Sequence, residues 1–233
     1  LYELGLLIPK ERVIDCLVKE EEENKLIGMG LADFAGDTSS TSPAPSGGSR
    51  SAYVGSLGAS VAGMVANLSS HKKGWDSRWL EFSDWAEKAQ QHKNELLALV
   101  DVDTTAFNKI MESFSLPKAT DEEKATRDNA IQAATKYAIE IPFKVMKTAL
   151  DSMDVVKAMV ELGNPNSVTD AGVAALCART AVLGAFMNVK INAWGYKDKD
   201  YVVDIIYRGN EIERQAIALE TEIIKLVNGK IGL

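Results

Sequence analysis

Asp103 is the side chain of this sequence best placed for acid–base chemistry. It lies in the run LVDVD, with Val100 and Phe107 flanking it at helical spacing. That spacing turns the carboxyl group toward an apolar interior or cleft. Burial raises the pKa of a carboxyl group, and such a group can move protons near neutral pH. A structural alternative stays open, in which Asp103 is buried and held by an arginine such as Arg179 or by a helix N-terminus.

The loop Pro43–Ser49, with the sequence PAPSGGS, is a candidate anion-binding element because it leads into a predicted helix. Backbone N–H groups at a helix start bind anions, and Gly47 and Gly48 allow a ligand to approach closely. In the alternative interpretation, Ser46 or Ser49 caps the helix and no ligand is involved.

A pair of amides, Asn188 and Asn192, stands four residues apart and therefore on one helical face. Ala181 and Gly184 lie on the same face. Amides on a face of small residues indicate either a lined cleft or a hydrogen bond between two helices.

A short basic run, His71 to Lys73, follows the first long helical segment. Lys72 and Lys73 either complement the helix dipole or form the rim of an anion site.

The composition narrows the classes of function. The 233 residues are 46% hydrophobic and 25% charged, which is typical of a soluble globular protein. The net charge of −7 argues against nucleic acid and anionic membranes as partners. Two cysteines, Cys16 and Cys177, and two histidines make a disulfide framework or a metal site improbable, and we expect a reducing, cytoplasmic environment.

The elements that must position these side chains are predicted to be helices, because apolar residues recur at helical spacing along the chain. An unbroken +3/+4 pattern runs from Trp79 to Phe114. Thr120 with Glu123 predicts a capping box, and the helix that follows contains Pro142. The other predicted helices are Lys10–Val18, Leu31–Phe34, Gly48–Ser69, Ala171–Asn192 and Lys199–Asn228. The run YVVDIIY in the last of these could be a strand, but the continuing periodicity favours a helix. The sequence therefore predicts an all-α, antiparallel multi-helix bundle.

Two of these helices are rich in small residues. Ten of the 16 residues Ser51–Ala66 are Gly, Ala or Ser, and Ala171–Ala185 is similar. Gly55, Ala59 and Gly63 are four apart and form one flat face. Both runs are too short and too polar for a membrane span, so we expect tightly packed core helices or helices that dimerise.

Four ordered motifs resemble the cyclodeaminase/cyclohydrolase family over about Leu31 to Val227. They are SPAPSGGSRSAYVGSLGASVAGMVANLS, LVDVDTTAFNKIMESFSLPKATDEEK, GNPNSVTDAGVAA and GAFMNVKINAW. The opening segment, LYELGLLIPKERVIDCL, is similar to the tail of a formimidoyltransferase domain. The resemblance implies that residues 1–36 are a remnant of an upstream formimidoyltransferase domain and its linker. Residues 37–233 are then the cyclodeaminase helical domain.

The resemblance implies a folate enzyme of histidine degradation. Such a domain converts 5-formimidoyltetrahydrofolate to 5,10-methenyltetrahydrofolate and ammonia, with no tightly bound cofactor and no metal. Asp103 matches the family's catalytic aspartate. The implied folate-binding residues are Gly47, Gly48, Ser49, Lys72, Lys73, Asn164, Asp170, Asn188 and Asn192.

The resemblance also implies a polyglutamylated substrate, with Lys72 or Lys73 at its glutamate tail, and a homodimer or higher oligomer. Ser46 stands where the family has glycine, and serine disfavours a positive φ. Two alternatives remain: a methenyltetrahydrofolate cyclohydrolase, and a non-catalytic folate-binding oligomerisation module.

Overall fold

The computed structural model describes residues 25–42 and 44–232, and the chain divides into two compact units after Pro45. In the first unit, a 3-10 turn, Leu26–Gly28, precedes a short helix, α1 (Leu31–Thr38). This helix contains the one predicted at Leu31–Phe34. The helix predicted at Lys10–Val18 lies outside the described residues.

Long helices make up the second unit. They are α2 (Gly47–Ser70), α3 (Trp79–Ser115), α4 (Asp121–Leu162), α5 (Val168–Trp194) and α6 (Lys199–Ile231). The part of the chain that the structure describes contains no strand, and residues 201–207 lie within α6. The predicted all-α bundle is confirmed.

Helix α4 organises the bundle, because it packs against each of the other four. Those four contact one another in the order α3, α2, α5, α6. Short connections make each helix antiparallel to the one before it. One of these turns carries the predicted capping box: Glu123 donates its backbone N–H to Thr120 Oγ1 at 3.1 Å, and Glu123 Oε2 accepts from the Thr120 N–H at 3.0 Å. Pro142 lies inside α4, which continues unbroken.

Small residues bring α2 close to its two lateral neighbours. A Cβ added to Gly55 would lie 3.0 Å from Cβ of Ala181 on α5. One added to Gly63 would lie 3.1 Å from Cβ of Ala89 on α3. Contacts this short leave no room for larger side chains at these glycines. The close packing fixes the N-terminus of α2 with respect to α3 and α5, which carry the candidate site residues.

One segment, Pro165–Trp194, is long and apolar enough to cross a membrane, judged by length and composition only. Half of its most apolar window is buried inside the protein. Core helices of soluble proteins have the same properties, and α5 packs against α2, α4 and α6. The burial favours the predicted core helix over a membrane span.

Candidate active site

Helix α2 begins directly opposite Asp103, and Ser46 is its N-cap. The Ser46 hydroxyl oxygen accepts hydrogen bonds from the backbone N–H groups of Gly48 and Ser49, at 3.1 and 3.3 Å. Ser46 has φ −84° and ψ 178°, an extended conformation open to any residue. A serine at the position of the family's glycine therefore causes no backbone strain.

The N-terminus of α2 binds the carboxylate of Asp103. Oδ2 of Asp103 accepts from the Ser49 N–H at 2.9 Å, from the Ser49 hydroxyl at 3.0 Å and from the Ser46 hydroxyl. Backbone N–H groups and the helix dipole both favour an anion at this position. The predicted anion-binding loop thus holds the predicted acid of this chain itself. Of the structural alternatives, the helix N-terminus is observed, whereas Arg179 lies 3.7 Å from Glu220.

Glycine is required at position 48 because Asp103 is so close. A Cβ added to Gly48 would lie 2.6 Å from Cγ of Asp103, closer than real Cβ contacts allow. A Cβ added to Gly47 would lie 3.0 Å from Nδ2 of Asn188. The two glycines therefore let the first turn of α2 approach side chains of α3 and α5 closely.

A small cavity opens beside the carboxylate of Asp103. Its lining residues come from the cap of α2 and from α3, α4 and α5: Ser46, Asp103, Ala106, Phe107, Ile110, Ala138, Asn188 and Asn192. Its volume is about 70 Å³, whereas one water molecule occupies about 30 Å³ of the liquid. The enclosed part therefore accommodates a reacting group of a few atoms, and the rest of a larger ligand must lie outside it.

The two asparagines of α5 face this cavity, as the cleft interpretation predicted, and also bond within the protein. Asn188 Nδ2 donates to the carbonyl of Gly184 at 3.0 Å. Asn192 Nδ2 donates to the carbonyl of Ala138 on α4 at 2.7 Å. Donation through the amide nitrogens orients both side chains, and each amide oxygen remains a possible acceptor for the donor groups of a ligand.

The remaining predicted site residues lie near the other end of α2. Lys72 and Lys73 follow its C-terminus, and Asn164 donates its backbone N–H to Ser69 Oγ at 2.8 Å. Asp170 is in the first turn of α5, close to Asn164 in the chain. The 24 residues of α2 span about 36 Å at 1.5 Å per residue. Within one chain, the structure therefore does not bring these four residues to Asp103.

Sequence reasoning missed several residues of the cavity. Phe107 and Ile110 were visible as members of the same helical pattern as Asp103, but that pattern predicted only burial. Ser46 was considered as a cap and not as a donor to Asp103. Ala138 on α4 carried no signal, because only its backbone carbonyl takes part.

Chemically, the site presents a carboxylate with Oδ2 fixed by hydrogen bonds and Oδ1 close to the backbone of Gly48. Among the described residues, every hydrogen bond to the side chain of Asp103 goes to Oδ2. A carboxylate that lines a cavity can accept a proton from a group there and return it, which is general acid–base catalysis. The fold and the site together define a helical-bundle protein with a carboxylate held at a helix N-terminus beside a small cavity.

Comparisons with known proteins identify the family. A family model described as Formiminotransferase-cyclodeaminase matches residues 30–210, and the chain belongs to this family. It is 32% identical to a methenyltetrahydrofolate cyclohydrolase of Methylorubrum extorquens, over 87% of this chain and 97% of that protein. It is 33% identical to the mouse formimidoyltransferase-cyclodeaminase, over 79% of this chain and 34% of that protein. The chain thus spans about a third of the mouse relative.

The fold also matches a solved structure. The crystal structure of formiminotetrahydrofolate cyclodeaminase from Thermotoga maritima superposes with a TM-score of 0.76 at 25% sequence identity. The superposition covers 87% of this chain and 98% of that one. The helical architecture described above is therefore shared with that protein.

We predict that Gly48→Ala displaces the carboxylate of Asp103 from the N-terminus of α2. The added methyl group overlaps the carboxyl group, and such overpacking costs about 1–3 kcal/mol of stability. A crystal structure of the variant measures the displacement, and urea unfolding measures the cost. Gly229→Ala on α6 is the control, since a Cβ there meets nothing within 4 Å. An undisplaced carboxylate in Gly48→Ala would contradict the prediction.

Proposed function

We propose that this protein is a formimidoyltetrahydrofolate cyclodeaminase, which converts 5-formimidoyltetrahydrofolate to 5,10-methenyltetrahydrofolate and ammonia. The observation that supports it most is the carboxylate of Asp103, which three hydrogen bonds hold at Oδ2 and which lines the cavity at the N-terminus of α2. The names of the mouse and Thermotoga relatives point to the same reaction.

In the proposed mechanism, Asp103 moves one proton between two nitrogens. N10 attacks the formimidoyl carbon of the protonated substrate, and the Asp103 carboxylate takes the N10 proton as the N10–carbon bond forms. The carbon is then tetrahedral and bonded to N5, N10 and an amino group. The Asp103 carboxyl group returns the proton to the amino group, the carbon–nitrogen bond to that group breaks, and ammonia leaves. The product is the positively charged five-membered methenyl bridge, and Asp103 is again a carboxylate.

The second candidate is methenyltetrahydrofolate cyclohydrolase, favoured by the Methylorubrum relative, which the chain covers almost completely. In that reaction, water attacks the methenyl carbon and Asp103 takes a proton from the water. Both reactions pass through a tetrahedral carbon bonded to N5 and N10, so one carboxylate serves either. The similarity of residues 1–17 to a formimidoyltransferase tail favours the cyclodeaminase.

We expect Asp103→Asn to abolish turnover while leaving the bundle folded. The amide oxygen can still accept from Ser46 and Ser49, but the side chain cannot shuttle a proton, and such a loss lowers rates by about 10²–10⁴. The near-ultraviolet absorbance of methenyltetrahydrofolate follows both reactions: it rises with 5-formimidoyltetrahydrofolate as substrate and falls when methenyltetrahydrofolate itself is hydrolysed.

Asp101→Asn is the matched control, because it removes a carboxylate two residues away, about 200° around the same helix. Wild-type turnover of only one substrate decides between the two activities. Normal turnover by Asp103→Asn would rule out the mechanism. Folate binding by the wild type without any turnover would favour the non-catalytic module.

The wider setting of the reaction is also part of the proposal. We propose that the domain acts in histidine degradation in the cytoplasm, on polyglutamylated folate, without a tightly bound cofactor and next to a formimidoyltransferase domain upstream. Residues 1–17, which carry the resemblance to that domain, lie outside the described residues.

We further propose that the protein self-associates through an exposed apolar surface, here called the α2–α5 face. Its residues on α2 are Leu57, Met64 and Leu68, and those on α5 are Val173, Leu176, Met187, Ile191 and Trp194, which are 41–84% exposed. The two helices pack side by side, and a surface of this kind in a folded protein marks an interaction site. In an antiparallel pair, the Lys72 end of one copy would lie near the Asp103 end of the other.

Met187→Glu should convert the assembly to monomers, since it places a charge in the α2–α5 face. Sedimentation equilibrium measures the mass. Val203→Glu on α6 is the control, because Val203 is equally exposed (70% against 69% for Met187) but lies on another helix. A wild-type protein that sediments as an active monomer would contradict the proposal.

A further inference from the structure

The apolar stripe of α3 extends beyond the helix that covers it. Val100 is fully buried, whereas Phe107 and Phe114, further along the same stripe, are 37% and 51% exposed. The change occurs at Asp103, because Asp103 is bonded to the first turn of α2 and α2 does not continue past Ser46. We call Phe107, Ile110 and Phe114 the open stripe. Its first two residues line the cavity of Asp103, so the open stripe is continuous with the proposed reaction site.

Arg127 lies at the end of the open stripe that is farther from Asp103. Arg127 on α4 donates to the carbonyl of Phe114 through Nε at 3.2 Å and Nη2 at 3.1 Å. Its guanidinium carbon lies 5.5 Å from the centre of the Phe114 ring. Neither of these hydrogen bonds uses Nη1, and a guanidinium can donate to several acceptors at once.

Arg127 also lines a polar pocket that carries a net positive charge. The pocket, of about 420 Å³, is formed by the α3–α4 turn and the start of α4: Lys118, Lys124, Ala125, Arg127 and Asp128. Lys124 pairs with Asp121 at 2.9 Å, and Asp128 pairs with Lys197. Of the other two carboxylates here, Glu123 accepts from the backbone N–H groups of Ala119 and Thr120, and Glu122 does not line the pocket. Lys118 and Arg127 are therefore the lining cations that can meet an anion.

We propose that the open stripe and this polar pocket bind the p-aminobenzoylglutamate part of the substrate; this rests on the proposed function. The aryl ring is bonded to N10, so when N10 reacts at Asp103 the ring must lie just outside the small cavity. The open stripe offers aromatic surface there, and stacked aromatic rings gain about 0.5–1.5 kcal/mol beyond their buried area. The glutamate carboxylates then meet Arg127 and Lys118.

The dimensions fit this assignment. Eleven residues separate Asp103 from Phe114 along α3, which corresponds to about 16 Å. The extended path from N10 across the ring to the glutamate Cα contains about seven bonds of about 1.4 Å each. The side chain of Arg127 extends back over Phe114, which shortens the distance that the ligand must span. One or two glutamyl units therefore bridge the remaining distance. Lys72 and Lys73, the basic residues that the sequence suggested for the tail, lie beyond the other end of α2 in the same chain.

The test compares steady-state kinetics on two substrates. One is 5-formimidoyltetrahydrofolate with its glutamate, and the other is the analogue in which an uncharged carboxamide replaces the glutamate. If the wild type is a cyclohydrolase, the corresponding methenyl compounds are used. For Arg127→Gln, we expect KM for the glutamyl substrate to rise about tenfold, as for the loss of one charge-assisted hydrogen bond. The kcat values and the KM for the carboxamide should not change.

Three further variants distinguish the loss of a charged contact with the substrate from a change in the structure of the protein. Arg127→Lys keeps the charge and should recover most of the affinity. Lys118→Gln, on the exposed turn, should also raise KM for the glutamyl substrate only, and it tests the pocket if Arg127→Gln does not fold. Arg208→Gln on α6 is the matched control, because its guanidinium lies over the Phe143 ring at 4.8 Å, away from the open stripe.

The outcomes distinguish this inference from the proposed function. A wild-type protein that turns over no folate substrate overturns the proposed function, and this inference with it. In a second outcome, the wild type is active while the ratio of the KM for the glutamyl substrate to that for the carboxamide is unchanged in Arg127→Gln and Lys118→Gln. That result overturns only the binding of the glutamate by Arg127 and Lys118. Equal rises of KM for both substrates in Arg127→Gln also overturn it, since they indicate a structural role.

Discussion

The bond between the carboxylate of Asp103 and the N-terminus of α2 is the interaction on which the site depends. Three donors, all from Ser46 and Ser49, converge on Oδ2. One of them, the backbone N–H of Ser49, is a group that a helix start otherwise leaves without a partner, and together the three fix a carboxylate at the edge of a cavity. Because the same carboxylate caps one helix and belongs to another, the position of the proposed catalytic group is tied to the packing of α2 on α3.

Small residues make this geometry possible. Gly55 and Gly63 let α2 approach α5 and α3, and Gly48 leaves space for the carboxylate itself. The composition of α2 is thus explained within one chain by close contacts between helices. The exposed remainder of α2 and α5 is apolar as well, which is the basis for the proposed self-association.

The sequence predicted the helices and singled out Asp103, but it did not predict how the candidate site is assembled. Periodicity identified Asp103, and turn chemistry identified the glycines of the loop, since both signals are local. The loop binds Asp103 through contacts between residues about 55 positions apart in the sequence. A local sequence pattern does not indicate which distant residues will meet. For the same reason, no local pattern separates Lys72 and Asn164 from the Asp103 end of α2. The contact between Arg127 and Phe114 likewise depends on how α4 packs against α3.

The most direct test of the account is a crystal structure of Asp103→Asn with 5-formimidoyltetrahydrofolate, in which the substrate cannot react. The account predicts that N10 lies within hydrogen-bonding distance, about 2.6–3.2 Å, of the side-chain atom of residue 103 that faces the cavity. The other side-chain atom should still accept from Ser49. A substrate bound elsewhere on the bundle, with the side chain at position 103 enclosed by protein atoms alone, would contradict it.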